Sequence, residues 1–248
     1  MTNDTNPDGT RRGFIAETAY VAPTAYVGPN ARVNGSARVY GDARVDGNAR
    51  VYGAAQVYGD ARVDGNARVY EGARVFGNAR VFGNAQVYGN AQVYGSAEVF
   101  GNARVYGSAR VFEDARVFGD ARVFGTAQVF GTAQVGENAR VFGNARVFGN
   151  AQVFGTAQVG GTAAVSAPRH ARTACAGSGP LLWTIYRTQD GGWGLRAGCA
   201  TLEDLFAPID LIAPDHGPAT EEDIFERKVT LHYLRELARS VDRREGSE

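Results

Sequence analysis

The sequence is poor in the residues that metal and redox chemistry require. Its 248 residues include two cysteines and three histidines, and Lys plus Arg balance Asp plus Glu at 26 each. Two thiols, Cys175 and Cys199, can form neither a disulfide framework nor, by themselves, a four-ligand metal site, so we interpret both as reduced. The balanced charge gives no reason to expect a polyanionic partner or a membrane surface.

Long hydrophobic runs are also missing. The first residues, MTNDTNPDGTRRGF, lack the apolar stretch of a signal peptide, and no run of eighteen apolar residues could span a bilayer. We therefore expect a cytoplasmic protein with no membrane partner.

A six-residue repeat, Ala-Arg/Gln-Val-Tyr/Phe-Gly-Asn, dominates the chain instead. An aliphatic residue recurs at every sixth position from Ile15 to Val165, which gives twenty-six hexads without insertion or deletion. A fixed period of this kind predicts the architecture before any local propensity does.

Each hexad predicts a short strand followed by a corner. In residues 79–84, alternation along a strand places Ala79 and Val81 on one face, and the Arg and the aromatic ring on the other. A guanidinium repeated in this way cannot be buried unpaired, so Ala and Val fill the interior while Arg or Gln and the rings point outward. The Gly-Asn pair tolerates positive φ and makes the corner.

This hexad pattern resembles the hexapeptide-repeat family. The resemblance implies a mainly β fold, a left-handed parallel β-helix with three hexads in each triangular coil. Twenty-six hexads then give eight to nine coils, stacked about 4.8 Å apart into a rod about 40 Å long. Stability in such an array accumulates from coil to coil, and the ends need caps.

The repeat divides the chain into four segments. We interpret residues 1–13 as a flexible leader, 14–165 as the β-helix, 166–180 as a linker and 181–248 as a small C-terminal α/β tail. Pro23 and Pro29 suit an N-terminal capping coil, because proline removes donors from an exposed edge. In the tail we expect a hairpin over 181–187 and 193–197, and helices near 199–208 and 221–244.

Short motifs in the tail carry a second resemblance. YRT at 186–188, DG at 190–191, AGC at 197–199 and TLE at 201–203 resemble the segment that follows hexapeptide repeats in acyltransferase-like bacterial and bacteriophage proteins. That resemblance implies a C-terminal α/β cap and raises the hypothesis of an acyltransferase.

The positions of the histidines argue against acyl transfer on the coils. The resemblance implies that acyltransferases of this fold use a histidine on a coil or an inserted loop as general base, between two subunits of a trimer. His170, His216 and His232 all lie outside the repeats, and a base must reach the group it activates. His170, beside the last coil, is therefore a weak catalytic candidate, and we predict no cofactor.

Metal chemistry is disfavoured on similar grounds. The γ-class carbonic anhydrases share the fold, but a site like theirs needs histidines from adjacent coils. Asp46 and Asp64 are eighteen residues apart and share an outward face with Arg44 and Arg62. This arrangement indicates a solvated salt-bridge patch, so we predict no metal site.

Outward aromatic residues fall into three columns, which we call ladders 1, 2 and 3. Ladder 1 contains Tyr52, Tyr70, Tyr88, Tyr106, Phe124 and Phe142; ladder 2 contains Tyr40, Tyr58, Phe76, Tyr94, Phe112, Phe130 and Phe148; ladder 3 contains Phe82, Phe100, Phe118 and Phe154. Stacking of like rings stabilises the rod, and neighbouring arginines can lie over them. Columns several coils deep also expose an apolar strip that another surface would cover.

These ladders favour a non-enzymatic rod that self-associates or binds a protein partner through its aromatic faces. We expect a homo-oligomer, either a trimer or a lateral or head-to-tail assembly. The alternatives are an acyltransferase with an atypical base and a glycan-binding module whose rings stack on sugars. Neutral charge and the frequent Gln in place of Arg disfavour a nucleic-acid partner.

Overall fold

A computed structural model of the chain describes residues 5–166, 171–176, 181–187 and 193–197. Residues 14–165 form a parallel β-solenoid of about eight turns. Each two-residue strand pairs in parallel with the strand three further along the chain; Phe14 lies opposite Arg32, for example, and Ile15 opposite Val33. The predicted period of eighteen residues, or three hexads per coil, is confirmed. Among the described residues, no helix has the length and apolar character needed to cross a bilayer.

The strands form three sheets that run the length of the solenoid. Sheet 1 contains β1 Phe14–Ile15, β4 Arg32–Val33, β7 Arg50–Val51, β10 Arg68–Val69, β13 Gln86–Val87, β16 Arg104–Val105, β19 Arg122–Val123, β22 Arg140–Val141 and β25 Gln158–Val159. Sheet 2 contains β2 Tyr20–Val21, β5 Arg38–Val39, β8 Gln56–Val57, β11 Arg74–Val75, β14 Gln92–Val93, β17 Arg110–Val111, β20 Gln128–Val129, β23 Arg146–Val147 and β26 Ala164–Val165. Sheet 3 contains β3 Tyr26–Val27, β6 Arg44–Val45, β9 Arg62–Val63, β12 Arg80–Val81, β15 Glu98–Val99, β18 Arg116–Val117, β21 Gln134–Val135 and β24 Gln152–Val153.

The interior consists of the repeated alanines and valines, as predicted. From Ala25 to Ala151 the Ala and Val at the two interior positions of every hexad are fully buried. The residue before each interior Val points outward, and Arg at that position is mostly exposed. Each coil therefore buries an apolar layer against the next, so stability depends on neighbouring coils rather than on any single one.

Glycine makes most corners, because the chain adopts a left-handed backbone conformation there. Gly83, for example, has φ of 70°, and a Cβ atom added to it would lie 3.1 Å from the backbone nitrogen of Gly101. Both the torsion angle and the close approach of the next coil therefore select against a side chain.

Residues 5–13, expected as a flexible leader, pack on the first coil. The Asn6 side chain pairs with both backbone groups of Val27: its Nδ2 donates to the carbonyl at 3.0 Å, and its Oδ1 accepts from the N–H at 2.8 Å. Nη2 of the buried Arg12 donates to the carbonyls of Ala22, Pro23 and Ala25 at 3.1 to 3.2 Å. These contacts cover the edge that the first coil would otherwise expose.

The C-terminal segment contains a three-stranded antiparallel sheet. β28 Leu181–Arg187 and β29 Trp193–Ala197 span the ranges of the expected hairpin and pair with each other. β27 Ala171–Ala176 pairs with the other side of β28. Part of the expected linker over 166–180 is therefore a strand, which its small residues and single β-branched Thr173 do not signal. The expected helices near 199–208 and 221–244 lie outside the described residues.

Candidate interaction surfaces

Ladders 1 and 2 are continuous stacks of parallel rings. In ladder 2, successive ring centroids from Tyr40 to Phe148 are 4.8 to 5.1 Å apart, and the ring planes differ by at most 8°. Ladder 1 has the same geometry from Tyr52 to Phe142. Offset stacking of this kind stabilises each contact beyond the area that it buries.

Ladder 3 is interrupted where the repeat has a glycine in place of a ring. Phe118 and Phe154 flank Gly136 and tilt toward each other, with their ring centroids 5.7 Å apart and their planes at 57°. A Cβ atom on Gly136 would lie 2.6 Å from the Phe118 ring. The two rings thus fill the gap that the missing side chain leaves.

Because the rings stack on one another, their faces are covered and only their edges reach solvent. Ladder residues are half-buried. Within residues 5–166, the two large apolar side chains that are clearly exposed are Phe14 at 57% and Tyr20 at 55%. The interior rings of a ladder therefore have no free face to stack on a sugar. The ladder surface is a row of ring edges beside a polar column.

Tyrosine hydroxyls at these edges are partly withdrawn from water. The Tyr40 hydroxyl donates to Gln56 Oε1 at 3.3 Å. Burial raises the pKa of Tyr70 to about 12, and it also raises the pKa of Tyr58, Tyr88 and Tyr94. The phenolic groups are held neutral because an ionised oxygen would lose solvation there.

The outward Arg/Gln columns beside the ladders differ in charge from sheet to sheet. In sheet 2, Arg and Gln alternate from Arg38 to Arg146. In sheet 3, Glu98 lies between two arginines, 3.1 Å from Arg80 and 3.4 Å from Arg116. Sheet 1 has runs of three consecutive arginines, β4 to β10 and β16 to β22.

The solvated salt-bridge patch that we predicted around Asp46 and Asp64 contains one weak ion pair. Arg44 lies 3.9 Å from Asp46, with both side chains substantially exposed. Oδ1 of Asp46 and of Asp64 accept the N–H of the following glycine, Gly47 and Gly65. Among residues 5–166 and the later described strands, no group of three or more His, Cys, Asp or Glu side chains could hold a metal ion.

The structure does not test the weak catalytic candidate or the thiols. His170 and Cys199 are outside the described residues, and Cys175 belongs to β27. The catalytic role of His170 and the reduced state of the thiols stay predictions.

The repeat is similar to one known family of β-solenoid repeats. The fold defines a parallel β-solenoid, and a family model described as YdcK Beta solenoid repeat matches residues 37–53, 55–71, 73–89, 85–99, 97–113 and 139–155. The matched segments all lie within the three sheets. No curated protein and no solved structure matches the chain.

Sequence reasoning missed two surface features. Phe14, Tyr20 and Tyr26 occupy the first-coil positions that hold Arg or Gln in later coils, so one aromatic ring stands at the head of each outward column. Side-chain amides also form a ladder along the corner before sheet 1, with Nδ2 of Asn66 donating to Oδ1 of Asn84 at 3.1 Å. Both features could have been found from the sequence, by comparing every third hexad at the position before the interior Val and at the Asn position of the corner.

Proposed function

We propose that this protein is a non-enzymatic rod that self-associates sideways, with sheet 2 of one molecule facing sheet 2 of another. The observation that carries the proposal is the outer surface of sheet 2. There, ladder 2 is unbroken over seven rings beside a column in which Arg and Gln alternate.

An antiparallel arrangement suits this surface. A two-fold axis in the plane of the interface and perpendicular to the rods brings like columns opposite each other. With the axis midway between the coils of Gln92 and Arg110, every Arg from Arg74 to Arg146 faces a Gln, and Arg38 faces Ala164. The paired positions are Gln92 with Arg110, Arg74 with Gln128, and Gln56 with Arg146.

Charge and hydrogen bonding both favour this register. A guanidinium donates to the Gln side-chain oxygen, and no two arginines face each other. Ladder 2 contacts itself in the same register, with Tyr94 opposite Phe112 and Tyr58 opposite Phe148. The apolar ring edges lose water while each tyrosine hydroxyl stays beside the polar column.

Sheets 1 and 3 are less suited to pairing with themselves. An antiparallel pairing of sheet 1 would bring Arg runs opposite Arg runs, and like charges in close contact are destabilising. Sheet 3 has Asp46, Asp64 and the Gly136 gap where the other ladders have rings. If the protein formed a trimer of three rods or a head-to-tail polymer, the proposed antiparallel pairing of sheet 2 would be wrong.

The proposal also covers the handedness of the coil and the role of the C-terminal segment. We propose a left-handed coil because of the resemblance to hexapeptide-repeat proteins, and a capping role for the C-terminal segment, whose β28 runs beside β25 and β26. The acyltransferase alternative predicts acetyl-CoA turnover that His170→Ala abolishes. Such turnover would overturn the non-enzymatic proposal.

The experiment is light scattering coupled to size-exclusion chromatography over a range of protein concentrations. We expect a dimer whose mass falls toward that of a monomer in the variant Gln92→Arg, which creates an Arg-Arg contact. Gln86→Arg adds the same charge to sheet 1 and is the matched control. A monomer at every concentration, or equal effects of the two variants, would contradict the proposal.

A further inference from the structure

A polar groove runs along the outside of sheet 1, next to the corner where the asparagines stack. It encloses about 640 Å³ and lies between an arginine column and the amide ladder. The residues that matter most are Arg32, Arg50 and Arg68 on one side and Asn48, Asn66 and Asn84 on the other, with Phe14 at the N-terminal end.

The arginines of the groove lack the carboxylate partners that Arg44, Arg80 and Arg116 have on sheet 3. Arg32 pairs with Arg50, and Arg50 with Arg68, in adjacent strands. Among the described residues, no carboxylate lies within 4 Å of these three side chains. Like charges directly opposite each other in a sheet are destabilising, so an anion bound between them would relieve the repulsion.

The amide ladder supplies neutral donors and acceptors along the same line. Asn48, Asn66 and Asn84 each donate from Nδ2 to the side-chain oxygen of the next asparagine, at 3.1 to 3.3 Å. A carboxamide has two N–H donors and an oxygen with two lone pairs. Each exposed amide in the row therefore keeps a donor and a lone pair for a ligand's hydroxyl groups.

Phe14 supplies the one open ring face of the groove. Its side chain is 57% exposed, and it belongs to none of the ring stacks in the described part of the chain. A ring that stands free at the end of a polar groove offers a platform for the apolar face of a sugar.

We propose that this groove binds a linear acidic glycan along the rod axis. Its carboxylates lie on the guanidinium groups, its hydroxyls bond to the asparagine amides, and one sugar ring stacks on Phe14. The coil repeat of about 4.8 Å is close to the length of one sugar unit in an extended chain, so successive units meet equivalent groups.

Single-stranded nucleic acid fits the groove less well. Its binding relies on successive bases that stack on exposed aromatic faces. The faces of ladder 1, the nearest rings to this column, are covered by one another from Tyr52 to Phe142. The groove therefore offers one free ring, whereas a row of phosphates and bases requires several.

The experiment measures binding of a galacturonate oligosaccharide to the full chain by calorimetry at two salt concentrations. The test variant combines Arg32→Gln, Arg50→Gln and Arg68→Gln, a change that the column already tolerates at Gln86 and Gln158. The matched control combines Arg44→Gln, Arg62→Gln and Arg80→Gln, which removes the same charge from the same coils on sheet 3. A neutral glucose oligosaccharide and an oligothymidylate serve as comparison ligands.

We expect the test variant to lose at least about tenfold in affinity and most of the salt dependence, since three exposed charge contacts are removed. The sheet 3 control should bind like the unaltered chain, and Phe14→Ala should weaken binding at both salt concentrations. Absence of galacturonate binding, equal losses in both triple variants, or tighter binding of the oligothymidylate at the same salt would overturn the proposal. These readouts do not depend on lateral pairing through sheet 2.

Discussion

Three glutamates occupy corner positions that are otherwise filled by glycine. Glu71, Glu113 and Glu137 have φ of 59°, 58° and 56°. Each carboxylate accepts the backbone N–H of the glycine one coil later, at 2.8, 2.8 and 2.7 Å respectively. A left-handed conformation costs a non-glycine residue about 1–2 kcal/mol, and a hydrogen bond to a charged group contributes about 1.5–3 kcal/mol. The two effects nearly offset each other, so glutamate is tolerated.

Substitutions at Glu113 separate these two effects. Glu113→Ala keeps the backbone cost but loses the bond to Gly131, so we expect it to be less stable by about 1–3 kcal/mol. Glu113→Gly loses the same bond but removes the strain, and it should be the more stable of the two variants by about 1 kcal/mol. Urea denaturation of both variants measures the difference. An alanine variant at least as stable as the glycine variant would contradict this account of the corner.

Tyrosines in the ladders make stability depend on pH at the alkaline end. Burial raises the pKa of Tyr70 from its ordinary value of 10 to about 12 in the folded chain. Between these two values the unfolded chain has lost the phenolic proton, whereas the folded chain retains it. The stabilisation is therefore complete below pH 10 and is lost as the pH rises through 12.

Ultraviolet titration of tyrosinate and thermal unfolding from pH 9 to about 12 test this window. We expect part of the tyrosine absorbance to titrate late in the folded chain and the midpoint of unfolding to fall above pH 10. Tyr70→Phe removes the titrating group and should reduce the fall. Unchanged titration and unfolding in that variant would contradict the assignment.

At the scale of elements, the N-terminal segment closes the open end of the rod. Arg12 is 7% exposed and satisfies three carbonyls of the first coil, while Asn6 supplies a donor and an acceptor to Val27. These side chains take the place of the strand that a preceding coil would provide. Unpaired strand edges otherwise invite further association.

Replacement of Arg12 by alanine tests the cap. The variant leaves buried carbonyl groups without their donor, so we expect a loss of about 2–3 kcal/mol in the free energy of unfolding. The adjacent Arg11 is exposed, and Arg11→Ala should change stability by less than about 0.5 kcal/mol. Denaturation curves of both variants provide the comparison, and equal stability of the two would refute the capping role.

The regular elements could be predicted from the sequence because every hexad repeats the same physical constraint. The six-residue period of buried Ala and Val recurs without insertion or deletion, so the sheets and their register follow from the period alone. For residues outside the repeat, the period predicts neither a strand nor a contact. Asn6 and Arg12 form contacts with a distant coil, and β27 depends on its pairing with β28 rather than on its own composition.

The candidate surface could be predicted only in part for a similar reason. Ladder membership follows from the period, but the orientation of the rings does not. Stacking turns their faces toward one another and leaves edges for a partner, which changes the kind of contact that a ladder can make. The groove on sheet 1 depends on how neighbouring columns combine, and a single hexad does not contain that information.

At the scale of the whole molecule, the three faces of the rod have different charge patterns on nearly identical backbones. Sheet 2 alternates Arg with Gln, sheet 3 neutralises Arg80 and Arg116 with Glu98, and sheet 1 has uncompensated Arg runs. We infer that the two faces have different roles: sheet 2 pairs with another rod, and sheet 1 binds an anionic ligand. Neither surface requires a change in the core.

The antiparallel register on sheet 2 makes a specific prediction about which positions face each other. Gln56 lies opposite Arg146 of a second molecule, whereas two copies of Gln56 lie several coils apart. In a background with Cys175→Ser and Cys199→Ser, chains that carry Gln56→Cys and chains that carry Arg146→Cys can be treated with a short bis-maleimide, separately and mixed.

This cross-linking experiment measures directly whether two rods pair antiparallel through sheet 2. We expect a covalent dimer in the mixture and none in either variant alone, because only the mixed pair is close across the interface. A dimer in each variant alone would indicate parallel rods, and no dimer in any sample would exclude sheet 2 as the interface; either result would contradict antiparallel pairing.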